Sequence, residues 1–402
     1  MHAPAQFRPR RSRFLAVIVA CAFLLACGGG SQFAGGVGSG GSGLAEGTIT
    51  GFGSVIVDGV RYDDSAASPQ VEDATGSRQA AALHLGQRVR LELDDAGKAR
   101  AIEVLPQLLG PVTAAPGGGW LRVAGQWVRV SAEAVLADHA RADDIAVGSE
   151  IEAHGAWGVD AVRGAVLEAT LLRLRPGAAG GAALPVLVGG VVQAVDGRTV
   201  TLGAAGVSLP AGAPVPAPGE VVALWVARAT LAQAQPWPAL AQRKAPELAD
   251  GATLVLGGSV GTRDGNRLRV QGLEVEWSGE VGTASAGPQR GDVVKLTVRR
   301  VDGRFEVLRS EVRDPSGQSG SQVELRARLS GVDWTQPSLL LRPRDVPVLV
   351  PAHLIPASGC AGFGSSAVDV VIEAAPGALP LRARTLECSA APTTGTASNT
   401  PG

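Results

Sequence analysis

The feature that most constrains the fold of this chain is a short hairpin pattern that recurs along it. Two runs of alternating apolar and polar residues flank a two-residue turn in SVIV-DG-VRYD, in WLRV-AG-QWVRV and in RLRV-QG-LEVEW. Alternation with a period of two is typical of β-strands that bury one face, and a pair such as Asp-Gly between them favours a tight hairpin turn. The pattern therefore predicts hairpins with turns at Asp58-Gly59, Ala124-Gly125 and Gln271-Gly272.

A second pattern follows each hairpin and indicates that the chain is built of repeats. It consists of a glycine, a polar residue and an apolar strand, and it begins at residues 86, 148, 219 and 291, with a degenerate copy at 364. The successive spacings of 62, 71, 72 and 73 residues indicate an array of similar units. Each unit has about five short strands, the number in a small OB-like barrel, whose closure removes exposed strand edges. We therefore expect an all-β chain, a tandem array of about five OB-like barrel modules with little helix.

Segments rich in glycine and proline separate the repeats and set the expected domain boundaries. The expected β modules span residues 44–106, 107–175, 186–232, 252–314 and 323–388, of which the last is degenerate. Residues 233–251 are rich in proline and alanine and are interpreted as a linker. Residues 389–402 are interpreted as a disordered tail.

Residues 1–26 have the composition of a secretory signal peptide. A positively charged segment, RPRRSRF, precedes an apolar stretch, LAVIVACAFLLA, that is too short to span a bilayer with margin. The stretch ends in LLAC, residues 24–27, which resembles the bacterial lipobox. This resemblance implies that Cys27 is diacylated through its sulfur, becomes the new N-terminus and is acylated there as well. The alternative is an ordinary signal peptide in which the cysteine occurs by chance.

Residues 27–43 are expected to hold the lipidated cysteine on a flexible tether. Nine of the sixteen residues from 28 to 43 are glycine, and a coil of this length has a reach of about 20–24 Å. Position 28 is glycine rather than the aspartate that retains proteobacterial lipoproteins at the inner membrane. Similarity to that sorting rule implies an outer-membrane lipid anchor, with the protein facing the periplasm or the cell surface.

Two of the four cysteines remain in the expected mature fold, because Cys21 leaves with the signal peptide and Cys27 carries lipid. In an oxidising compartment, Cys360 and Cys388 are expected to form a disulfide. Two free thiols and a metal-binding pair are the alternatives, although neighbouring histidines that would favour a metal are lacking.

The segment GFGSVIVDGVRYD, residues 51–63, does not match a catalytic motif. Its serine follows the second glycine, whereas a nucleophile elbow needs G-x-S-x-G, and Ile56 occupies the third glycine position of a dinucleotide loop. The four histidines of the expected mature chain also lack the spacing of metal ligands: His84, His139, His154 and His353. We therefore expect no catalytic residue, no cofactor and no metal site.

The charge of the chain argues against a nucleic-acid partner. Removal of residues 1–26, which hold four arginines and no acidic residue, leaves 32 basic and 37 acidic residues and a net charge of −5. A mildly acidic surface repels phosphate backbones. Aromatic residues make up only 4% of the chain; Trp127 and Trp277 are expected to fill barrel cores, whereas Trp157 is expected at an exposed turn.

The first module carries a family resemblance. Its segment GTITGFGSVIVDGVRYD, followed by LGQRVRLEL and ARAIEV, resembles a bacterial domain-of-unknown-function family that occurs in tandem in envelope lipoproteins. The resemblance is fair for the second and fourth modules and weak for the third and fifth. It implies a small all-β barrel module and supplies no established activity, so no catalytic residue follows from it.

These observations lead to an expectation about function. We expect a non-enzymatic, membrane-anchored envelope lipoprotein that acts as a structural or interaction scaffold, with an envelope protein or a glycan as partner. The alternative is a periplasmic or surface protein that binds a glycan, a peptide or another small molecule. An enzyme is the least favoured class, because no nucleophile or acid–base group of residues is recognisable.

Overall fold

The computed structural model of the chain describes residues 43–139, 141–175, 184–244, 248–270, 273–277, 287–290, 292–314 and 322–390. The predicted signal peptide, Cys27 and nearly all of the predicted tether lie outside these residues. Within them, strands dominate, so the all-β prediction is confirmed. Among the described residues, helix is confined to Leu354–Ala357 and to short 3-10 segments at Ala142–Asp144, Arg228–Ala232, Pro343–Asp345 and Cys360–Phe363.

The first module is a barrel-like unit whose third strand is interrupted. Its strands are β1 (Gly43–Phe52), β2 (Val55–Val57), β3 (Val60–Tyr62), β4 (Pro69–Glu72), β5 (Arg78–Ala80), β6 (Arg88–Leu93) and β7 (Ala99–Val104). Strand β1 lies between β2 and β6, and β7 pairs with β6. The third barrel strand is divided into β3 and β4, and both parts contact β7. The Asp63 carbonyl, just after β3, accepts the Ala99 N–H at 2.9 Å, and β4 pairs with β7 in parallel.

The second module closes completely into a five-stranded barrel. Its strands are β8 (Leu108–Gly117), β9 (Trp120–Val123), β10 (Gln126–Leu136), β11 (Glu150–Asp160) and β12 (Gly164–Leu174). The ring runs β8-β9-β10-β12-β11 and returns to β8, with only the β10–β12 pair parallel.

The third module repeats this ring with a strand that the sequence assigned to a linker. Its strands are β13 (Val186–Asp196), β14 (Thr199–Leu202), β15 (Ala205–Ser208), β16 (Val221–Val226) and β17 (Trp237–Gln242). Strand β17 pairs in parallel with β15 and antiparallel with β16, which closes the barrel. The predicted boundary at 232 is therefore wrong, and the module extends to residue 242. The proline-rich composition of 233–251 hid a strand whose side chains complete the core.

The fourth module closes in the same order and the fifth is irregular. The fourth contains β18 (Thr253–Asp264), β19 (Arg267–Val270), β20 (Leu273–Glu276), β21 (Val293–Val301) and β22 (Arg304–Asp314), with β20 parallel to β22. The fifth contains β23 (Val323–Leu329), β24 (Leu339–Leu341), β25 (Val348–Val350), β26 (Val368–Ala374) and β27 (Leu381–Ala390). The last strand extends past the predicted end of the module at 388.

Strand β1 joins three modules into one body. Its first part pairs in parallel with β18, from Leu44 opposite Leu254 to Glu46 opposite Leu256, and its end pairs in parallel with β23 at Gly51 and Phe52. The apolar cores of the first and fifth modules also merge into one cluster. Modules that are distant in sequence are therefore neighbours in space, and the array is not a string of separate barrels.

The second sequence pattern has a common structural cause. In the four copies whose glycine is described, this residue precedes the fourth barrel strand and adopts a positive φ, which is 79° at Gly86, 91° at Gly148, 88° at Gly219 and 54° at Gly364. Gly291 of the remaining copy lies outside the described residues. A side chain is disfavoured in this left-handed region, whereas glycine enters it freely. The glycine thus lets the chain turn sharply into the strand in each of these modules.

Candidate functional site

One exposed face of the second module combines tryptophan and arginine side chains. In β9 and β10 the apolar side chains of Leu121, Val123 and Val128 point into the barrel and are at most 2% exposed. Alternation then places Trp120 and Arg122 of β9, and Trp127 and Arg129 of β10, on the outer surface. We call these four residues, together with Arg163 of the β11–β12 turn, the Trp–Arg face.

Strand register sets the contacts within the Trp–Arg face. Arg122 lies directly opposite Trp127, and Trp120 lies directly opposite Arg129. The two indole rings meet edge to face, with centroids 6.1 Å apart and an interplanar angle of 85°. Guanidinium carbons lie 4.3 Å from the Trp127 centroid for Arg122 and 3.9 Å from the Trp120 centroid for Arg163. At these distances, cation–π attraction holds the arginine side chains against the rings.

Arg163 is held in place by the turn that carries it. The Asp160 carboxylate accepts the backbone N–H groups of Arg163 at 2.8 Å and Val162 at 2.9 Å. These hydrogen bonds lower the pKa of Asp160, because they stabilise its charged form. The guanidinium then spans both rings, 3.9 Å from the Trp120 centroid and 5.2 Å from the Trp127 centroid.

The charges on this face are only partly compensated. Arg129 lies 3.6 Å from Glu168, whose pKa is raised by burial, and Arg163 lies 3.8 Å from Asp160. Arg122 makes no ion pair within the described part of the chain. The face therefore presents three cations against two carboxylates, with one guanidinium balanced only by an aromatic ring.

The corresponding faces of other modules use their arginines differently. On the fourth module, Arg267 and Arg269 both pair with Glu274 of the neighbouring strand, at 3.7 and 2.8 Å. On the first module, Arg61 pairs with Glu324 and so docks the fifth module. The Trp–Arg face thus differs from both, because Arg122 contacts an aromatic ring and has no carboxylate partner among the described residues.

A second polar cluster lies buried at the junction of the first two modules. His154 is fully buried, and its Nδ1 accepts the backbone N–H of Arg88 at 3.2 Å. Its Nε2 must then carry the proton and donate to Glu152, 2.8 Å away. Since both ring nitrogens are occupied, this cluster joins modules rather than offering an open site.

The predicted hairpin turns serve as scaffold. Asp58 and Gly59 have φ values of 46° and 74°, and Ala124 and Gly125 have values of 48° and 81°. These positive values are those required of a two-residue turn between paired strands. The third predicted turn, Gln271-Gly272, lies outside the described residues, although Val270 and Leu273 on either side of it are paired.

The side chain of Asp58 reaches beyond its own hairpin. Its carboxylate accepts the Thr48 N–H at 3.2 Å, and it occupies the space where a Cβ on Gly47 or Gly257 would lie. The first hairpin is therefore seated over the pairing of β1 with β18, which explains why both strands carry glycine at these positions.

The predicted disulfide is confirmed. Cys360 and Cys388 are bonded, with Cα atoms 5.2 Å apart, and they tie the 3-10 segment Cys360–Phe363 to β27. Cys27, the predicted lipidation site, lies outside the described residues.

The tryptophan expectations were partly wrong. Trp277 is buried as expected, but Trp157 is only 3% exposed and its indole N–H donates to Gln107 at 3.1 Å. Trp237 is buried in the third module, and Trp127 points outward rather than into the core. The signal that would have placed Trp127 is local: it shares its strand phase with Arg129, two residues away.

Neither a family model nor a curated protein matches the sequence. Within the described residues, no group of three or more His, Cys, Asp or Glu side chains is arranged to hold a metal ion. No helix among those residues is long and apolar enough to cross a membrane.

Proposed function

We propose that this protein is a non-enzymatic envelope lipoprotein that acts as a rigid scaffold of β modules. The observation that carries the proposal is the position of β1, which forms backbone ladders with both the fourth and the fifth modules. Strand pairing and a shared core resist bending between these modules, so surfaces on them keep fixed relative positions. The lipobox at Cys27 and the glycine-rich tether support an anchor at the outer membrane.

Photo-crosslinking in living cells with the lipid anchor intact tests the scaffold. Exposed apolar side chains are suitable probe positions, because a probe there leaves the cores unchanged: Val147 is 63%, Val162 87% and Leu340 53% exposed. A reproducible envelope protein among the adducts supports the proposal. The proposal is contradicted if no probe position yields an adduct with a protein and the Cys27→Ala variant gives the same crosslinking result as the wild type.

A second candidate function is the binding of a glycan, a peptide or another small molecule. The Trp–Arg face favours it, because this face uses barrel strands two and three beside the β8–β9 and β11–β12 loops. In OB-folds, the corresponding strands and loops bind oligonucleotides and oligosaccharides. Calorimetric titration of the Arg122→Gln variant against the wild type, with a panel of such compounds, distinguishes this function from a pure scaffold.

A further inference from the structure

We propose that the Trp–Arg face binds the carboxylate groups of an acidic glycan. This inference rests on the second candidate function, ligand binding, and names its substrate class. The scaffold proposal does not depend on it.

The arginine geometry favours a carboxylate. When a guanidinium stacks flat on an indole, its N–H donors point outward in the plane of the group, where they form paired hydrogen bonds with a carboxylate. The guanidinium carbons of Arg122 and Arg163 lie over the Trp127 and Trp120 rings, 4.3 and 3.9 Å from the ring centroids, and both are at cation–π distance. Stacking also restricts each side chain before the ligand arrives, so less conformational entropy is lost on binding.

The surroundings favour a sugar as the carrier of that carboxylate. Val162, next to Arg163, is 87% exposed, and the two tryptophans are half-buried, so apolar surface borders the cations. In the β8–β9 turn, Gly117 and Gly118 have positive φ and would meet no atom within 4 Å if they carried a Cβ. This open rim leaves room for a rigid sugar ring beside the half-buried tryptophans.

The same features disfavour a nucleic acid. Base stacking needs a free aromatic face, and guanidinium groups already cover Trp120 and Trp127. Glu168 and Asp160 also stand within 4 Å of two of the arginines, at 3.6 and 3.8 Å, and would repel a continuous phosphate backbone. An acidic sugar presents its charges singly and meets less repulsion.

The experiment is a calorimetric titration of the mature full-length protein, with tryptophan fluorescence as a second signal. Four probes are compared: tetragalacturonate, a neutral tetraglucose of the same length, a tetraglutamate peptide and a single-stranded oligothymidylate. We expect tetragalacturonate to bind best and to change the fluorescence. Arg122→Gln is expected to weaken its binding about tenfold or more, since a charge-assisted hydrogen-bond pair is lost.

Arg267→Gln in the fourth module is the matched control, because Arg267 lies on the equivalent face but is paired with Glu274. It is expected to leave the affinity unchanged, and unaltered melting temperatures of both variants exclude misfolding. If tetraglucose binds as tightly as tetragalacturonate, and this binding is lost in the Arg122→Gln and Trp127→Ala variants, the carboxylate inference is overturned while ligand binding by this face stands. Stronger binding of the peptide or the oligothymidylate overturns the sugar. No binding of any probe overturns both the inference and the second candidate function.

Discussion

Replacement of Glu46 by glutamine tests whether a charge network stabilises the strand that joins three modules. The Glu46 carboxylate accepts hydrogen bonds from Arg88 at 2.9 Å and from Arg90 at 2.9 and 3.1 Å. Arg90 continues to Glu103 at 3.1 Å on the next strand. The side chain of Arg88 is only 3% exposed, so the variant leaves it buried without a counter-charge.

The expected magnitude follows from two independent arguments. Burial alone raises the pKa of Glu46, but Arg90 and Arg88 outweigh it and bring the pKa from 4.5 down to about 2. At about 1.4 kcal/mol for each pH unit, this corresponds to roughly 3 kcal/mol. Removing one partner of a buried ion pair costs about 3–5 kcal/mol in other proteins. We expect a loss near 3 kcal/mol, because glutamine retains one acceptor oxygen.

Hydrogen exchange of the β1 and β6 amides is the suitable assay, since it reports the local opening free energy without assuming that all modules unfold together. The pH dependence follows from the lowered pKa. The stabilisation by Glu46 is fully present above pH 4.5 and is lost as the pH falls towards about 2. The glutamine variant is expected to lack this component of the acid response.

Glu92→Gln is the matched control, because Glu92 lies on the same strand β6 and pairs with Arg100 at 3.2 Å on an exposed surface. Such pairs contribute about 0–1 kcal/mol. If Glu46→Gln lowers the opening free energy of β1 by no more than Glu92→Gln does, the buried network is not what stabilises this strand.

Three further predictions concern stability. Cys388→Ser removes a bond that closes a separation of 28 residues, and the melting curve should show a loss of about 3.5 kcal/mol that reductant reproduces in the wild type; a reductant-insensitive wild type contradicts this. Gly257→Ala displaces the Asp58 carboxylate and should cost about 1–3 kcal/mol in urea unfolding, whereas Gly261→Ala, where a Cβ fits, should be tolerated. Trp237→Ala should lower the free energy of unfolding by about 3–5 kcal/mol. An unchanged stability would favour the interpretation of Trp237 as part of a linker.

Local sequence signals predicted the strands and turns of this protein well. Alternating residues around Asp58-Gly59 and Ala124-Gly125 indicated hairpins, because side-chain alternation and positive φ are properties of a few neighbouring residues. The glycine before the fourth strand of a module was also predictable, because a positive φ at a turn is a property of a single residue. The disulfide was also predictable, since only Cys360 and Cys388 remain in the expected mature fold.

The Trp–Arg face was missed for a different reason. Strand alternation places Trp127 and Arg129 on one side, and an arginine in that phase indicates that this side faces water while Val128 fills the core. The expectation for Trp127 gave the apolar ring more weight than this local signal. Arg163 joins the face from a turn more than 30 residues away in sequence, which no local period reveals.

The sequence by itself determined that the chain folds into repeated all-β units, because turn chemistry and side-chain alternation act between neighbouring residues. Only the tertiary structure decided which units touch. Strand β1 pairs in parallel with β18 and β23, and β17 pairs in parallel with β15 to close the third barrel. These pairings are made by backbone hydrogen bonds, which most strand sequences can form. Their choice is made by the packing of side chains from distant segments, such as Trp237 in one core with Val207 on the paired strand and the Asp58 carboxylate over Gly257.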